Sequence, residues 1–154
     1  MQTPQLMTEL FRLFSVEVEA VQAYGAAVAL LGPGPIRDEL ALFGLEHQRH
    51  ALVLQEQISR RGYVPPEVQP DVKGVVIGAL RPPQRSLTAE DVLAGIRGNE
   101  QLTGSLYAKA LAKTLPNELR EILARIHGEE RHHLDWIERA ISRRAWEASG
   151  ASHP

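Results

Sequence analysis

Toward its C-terminal end the chain reads "IHGEERHHLDWIERAISRR", two glutamates and two histidines set inside an amphipathic run. Glu130 and His133 are three residues apart, so on a helix both side chains lie on one face and can reach a common point. The chain can be walked in alternating steps of three and four, the spacing of a helix-bundle seam. The seams are Leu6, Leu10, Leu13, Glu17, Ala20, Tyr24, Ala27; Ile36, Leu40, Phe43, His47, His50, Leu54; Leu93, Ile96, Glu100, Thr103, Tyr107, Ala110; and Leu119, Leu123, Ile126, Glu130, His133, Ile137. Each stripe is apolar except at one level, where every segment places an ionisable group. Burying a carboxylate without a partner costs several kcal/mol, and a cluster costs more unless something cationic sits among it. Two divalent ions held between four helices are the usual solution, with one glutamate from each of two helices and Glu-x-x-His from each of the other two. Glu17 and Glu100 supply the single carboxylates, Glu130 and His133 one Glu-x-x-His, and His47 and His50 the remaining pair. Carboxylate with imidazole suits iron or manganese, and zinc is a further candidate. A free arginine such as Arg49 is the metal-free way to neutralise the same cluster.

Four helices have to position these residues. The first is expected over about 4–31, from Thr3-Pro4 to "GPGP", and the second over about 35–61, closed by Gly62. The third spans about 88–115, with Thr88 as cap and Glu90 and Asp91 favouring the helix dipole, and the fourth about 116–146. Short joints make helices 1–2 and 3–4 antiparallel pairs. The connection 62–87, rich in proline and glycine, is expected to cross the bundle. A shift of 83 positions overlays the halves without a gap: Glu17 on Glu100, Tyr24 on Tyr107, Pro33 on Pro116, Arg37 on Arg120, Glu46 on Glu129, His50 on His133, and "ISRR" 58–61 on 141–144. The fold reads as all-α, a single domain over 1–154 made of two repeated helical hairpins. The twin "ISRR" serves helix C-termini, and His127 and His132 lie off the seam, at the surface.

These features resemble the ferritin-like superfamily of diiron carboxylate proteins, a group that includes ferritins, bacterioferritins and rubrerythrins. "EVEAVQAY" and "EQLTGSLY" carry Glu-x6-Tyr, and "EERHH" carries Glu-x-x-His. The second half also looks like an uncharacterised bacterial family of ferritin-like bundles. The resemblance covers nearly the whole chain. It implies a ferritin-like four-helix bundle, a non-haem iron centre and reactivity toward peroxide or oxygen. For Tyr24 and Tyr107 it implies hydrogen bonds to the ligand carboxylates, against the alternative of ordinary core tyrosines. One position departs from the pattern: the second Glu-x-x-His would begin at 47, where this chain has His47. Three seam carboxylates then stand where the family has four, which points to a weaker second ion or a single one. Glu46 and Glu129, one residue off the seam, are possible extra ligands or solvated side chains.

Composition narrows the function classes. The 154 residues carry a net charge of −2 with 44% hydrophobic and 23% charged residues, so no basic excess exists to neutralise nucleic-acid phosphates. Cysteine is absent, which excludes disulfides, a thiol nucleophile, zinc ribbons and rubrerythrin-like electron transfer through a cysteine-bound iron, and leaves an external electron donor. No basic n-region precedes "LMTELFRLF", and the run around "GAAVALLG" is too short to span a bilayer, so a cytoplasmic protein without a membrane partner is expected. Two classes remain: an oxidoreductase, or a non-catalytic bundle with a structural, stress or metal-buffering role. Cage storage fits less well, because no fifth helix is expected after "AWEASGASHP". A further apolar stripe of Leu42, Leu45 and Leu52, with Phe11, Phe14, Val18 and Val21 on helix 1, predicts a homodimer or larger assembly.

Overall fold

The computed structural model describes residues 3–67 and 87–150. Its elements are α1 (Thr3–Leu30), α2 (Pro35–Arg60), α3 (Ala89–Leu111), α4 (Asn117–Ser142) and α5 (Ala145–Gly150), with no strand among the described residues. Contacts between side chains set the directions. Along α1 and α2, Phe11 meets Tyr63 and Glu17 meets His47, so rising numbers on one helix meet falling numbers on the other. The same holds for α3 and α4, where Glu100 lies by His133 and Tyr107 by His127. It also holds for α2 and α4, where Glu46 reaches His133 and Glu129 reaches His50. Neighbours are therefore antiparallel, and α2 and α3 run parallel. The expected crossover over 62–87 falls largely on residues 68–86, which lie outside the described residues.

Local chemistry explains most helix ends. Thr88 opens α3 with a capping box in which its hydroxyl accepts from the Asp91 amide at 3.1 Å and its own amide donates to the Asp91 carboxylate at 2.9 Å. Gly62, at φ 81, closes α2: its N–H bonds the carbonyl of Ser59 and that of Tyr63 bonds Ile58, the paired bonds of a Schellman end. Two ends differ from expectation. Helix α3 stops at Leu111, not near 115; Pro116 disfavours helix at Leu115, which is buried in the core. Arg120 then takes up the freed carbonyls of Leu111 and Lys113 at 2.8 and 2.7 Å. Helix α4 stops at Ser142, not 146. Arg144 adopts φ 50, bonds Glu147 at 2.6 Å and lies over the Trp146 ring, and the short α5 follows where no fifth helix was expected. The first "ISRR" does serve a helix end, since Arg61 donates to the Gln57 carbonyl at 2.8 Å.

The core is in two parts. One holds Leu6, Leu10, Leu13, Leu54, Ile58, Leu119, Leu123 and Ile126; the other holds Ala27, Ile36, Leu40, Phe43, Leu93, Ile96 and Ile137. A polar layer lies between them. Helix α1 as a whole is long and apolar enough to cross a bilayer by length and composition, unlike the short run singled out above. Here its seam is buried against the other helices around Glu17.

Candidate metal centre

The polar layer is made by the six seam residues, each no more than 1% exposed. Helix α1 brings Glu17, α2 His47 and His50, α3 Glu100, and α4 Glu130 and His133. Their donor atoms fall into two overlapping groups of four, each within 4.8 Å: Glu17, His47, His50 and Glu130, and His47, Glu100, Glu130 and His133. His47 and Glu130 are common to both. Three donor atoms inside the layer, Glu100 Oε2, Glu130 Oε2 and His133 Nδ1, are buried without a hydrogen-bond partner. Buried polar atoms are rarely left so unless a water or an ion takes them. Three carboxylates with three imidazoles fit a divalent transition metal.

Without a cation the layer holds itself together through His47. Its ring lies between two carboxylates, with Nδ1 2.8 Å from Glu17 and Nε2 2.8 Å from Glu100, and Nδ1 is 3.3 Å from Glu130. Burial by itself pulls the His47 pKa down, but the hydrogen bonds to Glu100 and Glu17 outweigh it and raise the value to about 9. Burial likewise pushes Glu17 up, and the hydrogen bonds from His47 and His50 overcome it and hold Glu17 at about 2. Glu100 is lowered in the same way by His133 and His47. Glu130 goes the other way: burial, then the charges of Glu17 and Glu100, push it well above the carboxylate range. His47 is thus held toward its charged form, and Glu130 toward its neutral form.

The tyrosines hold carboxylates in place. Tyr107 donates to Glu17 at 2.6 Å, and Tyr24 donates to Glu100 across the bundle. Burial, followed by the nearby glutamate charges, raises both phenols well above their ordinary value, so they stay protonated donors. Glu46 and Glu129 enter neither group of donors. Glu46 contacts the outer nitrogen of His133, and Glu129 that of His50. Arg49 stays at the rim, half exposed and 2.7 Å from Glu129, and so does not neutralise the buried layer. His132 is exposed as expected. His127 is half-buried and stacks on Tyr107, and burial and Arg131 lower its pKa. No signal in its own helix marks that packing; at the equivalent place in the first half, Gly44 lies against Tyr24.

No family model matches the chain, and no curated protein matches it by sequence. Solved structures do. A dodecameric thioferritin, the bacterioferritin-related protein of Bacteroides fragilis, aligns with a TM-score of 0.75 at 19% identity, over 99% of this chain and 94% of that one. A ferritin-like diiron-carboxylate protein of Bacillus anthracis aligns with a TM-score of 0.66 at 23% identity, over 92% and 99%. The fold is ferritin-like. A conserved hypothetical protein of Mycobacterium tuberculosis shares this ferritin-like fold, with a TM-score of 0.75 at 15% identity over 91% of this chain and 99% of that one.

Proposed function

We propose that this ferritin-like chain is a metal-binding protein whose non-haem carboxylate centre takes iron or manganese and reacts with peroxide or oxygen. The observation that carries it is the pair of four-atom donor groups sharing His47 and Glu130, with three donor atoms lacking a hydrogen-bond partner. A bound redox metal would supply the electron exchange with peroxide or oxygen. Glu17, His50, Glu100 and His133 would hold ions from the outer sides, and His47 and Glu130 from between. Tyr24 and Tyr107 orient the two single carboxylates, and the apolar clusters on either side keep bulk water out. The ferritin-like neighbour described as a diiron-carboxylate protein supports iron as the ion.

Assembly belongs to the same reading. Leu42, Leu45 and Leu52 stand 56%, 62% and 60% exposed along α2. Their counterparts in α4 under the 83-residue shift are Arg125, Gly128 and Asp135, all exposed, so the bundle itself does not require leucine there. We take the stripe as the contact of a cytoplasmic homo-oligomer, as the dodecameric neighbour also suggests. On α1 the contribution is smaller than expected, since Phe14 is buried and Phe11, Val18 and Val21 are half-buried against the bundle.

The second reading, a structural or metal-buffering bundle, draws on the closed bonding of His47 to Glu17 and Glu100, which needs no ion. Elemental analysis of protein purified without chelator separates the two, followed by peroxide consumption by the loaded protein. Iron or manganese at up to two ions per chain, with peroxide consumed, is the expected result. Metal without peroxide consumption selects the buffering role, and absence of metal removes both metal readings.

A further inference from the structure

A cavity of about 520 Å³ opens where α1 begins and α3 ends, lined by Gln5, Thr8, Glu9, Ala112, Lys113 and Thr114. It stands apart from the metal layer, since Glu9 precedes Glu17 by eight residues, about 12 Å along the helix. Glu9 is a buried charge, 5% exposed. Its Oε1 accepts from Arg12 at 3.2 Å and also from Lys113, and these two cations keep 51% and 45% of their side chains exposed. The 83-residue register shows how the other half builds the same place. Val92 stands for Glu9, Gly95 for Arg12, Leu30 for Lys113 and Leu31 for Thr114. Val92 is 1% exposed within an apolar cluster against which Leu31 packs. The bundle can therefore close this position without charge, and a buried ion cluster is often no more stable than apolar residues of similar volume. Packing does not account for the three charges.

We propose that this cavity binds a small oxyanion, a phosphate or a carboxylate-bearing molecule, through Lys113, with Glu9 positioning the Lys113 ammonium. The proposal does not depend on the metal reading. The sign of the charge decides the ligand class. Arg12 and Lys113 with Glu9 leave one positive charge in excess, and the Glu9 carboxylate is already taken by two cations, so an anion is favoured and a further cation is not. An ammonium has three donors, and Glu9 uses one of those on Lys113. Thr114, also in the lining, adds a hydroxyl that can donate; the proton of Thr8 is committed to the Pro4 carbonyl at 3.0 Å. The carbonyl end of α3 would repel an anion, but Arg120 covers it by donating to the carbonyls of Leu111 and Lys113. The first turn of α1, which reaches the cavity through Gln5, carries no acidic residue.

The test titrates inorganic phosphate and succinate separately into the full chain at low ionic strength, followed by calorimetry and by amide NMR. At least one of them is expected to bind at one per chain, with amide shifts centred on Gln5, Glu9, Lys113 and Thr114. Whichever binds more tightly tells whether the site takes phosphate or carboxylate. Lys113→Gln is expected to weaken that binding about 10- to 100-fold, the worth of a hydrogen bond to a charged group. Glu9→Val with Lys113→Leu installs the residues of the other half and is expected to abolish binding while helix content is kept. Should that double variant fail to fold, Lys113→Gln, at a half-exposed position, decides alone. Neither anion bound at millimolar concentration, binding by Lys113→Gln within twofold of the unaltered chain, or uptake of a diamine such as putrescine in place of both anions overturns the proposal.

Discussion

Replacing His47 by glutamate tests how one residue sets the metal capacity of the layer. Against burial, the hydrogen bonds to Glu100 and Glu17 raise His47 to about 9, so at pH 7 an incoming ion must displace a proton from it. That weakens apparent affinity on the order of 100-fold. His47→Glu replaces this imidazolium with a carboxylate placed between the two donor groups that His47 now shares. A bridging carboxylate divides its charge between two ions, which a neutral imidazole cannot do. Binding of Mn(II) or Co(II) at pH 7 is expected to tighten on the order of tenfold to 100-fold, and metal content to rise toward two ions per chain. The ion beside Glu100, Glu130 and His133 is expected to be the tighter of the two in the unaltered protein. The substitution has an opposite effect on the empty chain. Four carboxylates then share a buried layer without the imidazolium, and losing the partner of buried charges costs about 3–5 kcal/mol. Calorimetric titration at pH 6.5, 7.5 and 8.5 reads the affinity, and thermal unfolding with and without metal reads stability. If the unaltered chain already binds two ions of equal affinity, with no dependence on pH, the reasoning about His47 is refuted.

Three further outcomes follow from the same geometry. Glu130→Ala removes a donor common to both groups and is expected to empty the centre by elemental analysis; retention of one ion per chain would contradict its shared role. Stability of the metal-free chain should depend on pH from both sides. Glu17, lowered to about 2, contributes stability above the ordinary carboxylate pKa that is lost as pH falls through 2, and Glu100 acts in the same direction. His47, raised to about 9, contributes stability below the ordinary imidazole pKa that is lost as pH rises through 9, and the raised Glu130 works the same way. Urea midpoints in chelator should therefore peak in the mildly acid range, and a midpoint that climbs from pH 7 to 9.5 would oppose this. Leu45→Glu with Leu52→Glu is expected to lower the mass measured by light scattering without loss of helix, whereas a monomeric parent at micromolar concentration would remove the interface.

Much of this protein is legible in one dimension because helical bundles repeat with a short period. Steps of three and four place Glu17, His47, His50, Glu100, Glu130 and His133 on four seams, and every one of them is buried at one level. The 83-residue shift also marks His47 as the one ligand position where the halves differ, since Glu130 stands opposite it in register. Periodicity says which face a residue occupies, and it does not say which residue across the bundle that side chain meets. Helix rotation and rotamer choice decide this, and both come from packing. Only the tertiary structure therefore places the His47 ring between Glu17 and Glu100, and only it sends Tyr24 to Glu100 and Tyr107 to Glu17. It also carries Glu46 and Glu129 past their own helices to histidines about 80 residues away in the chain, joining positions that no local pattern relates.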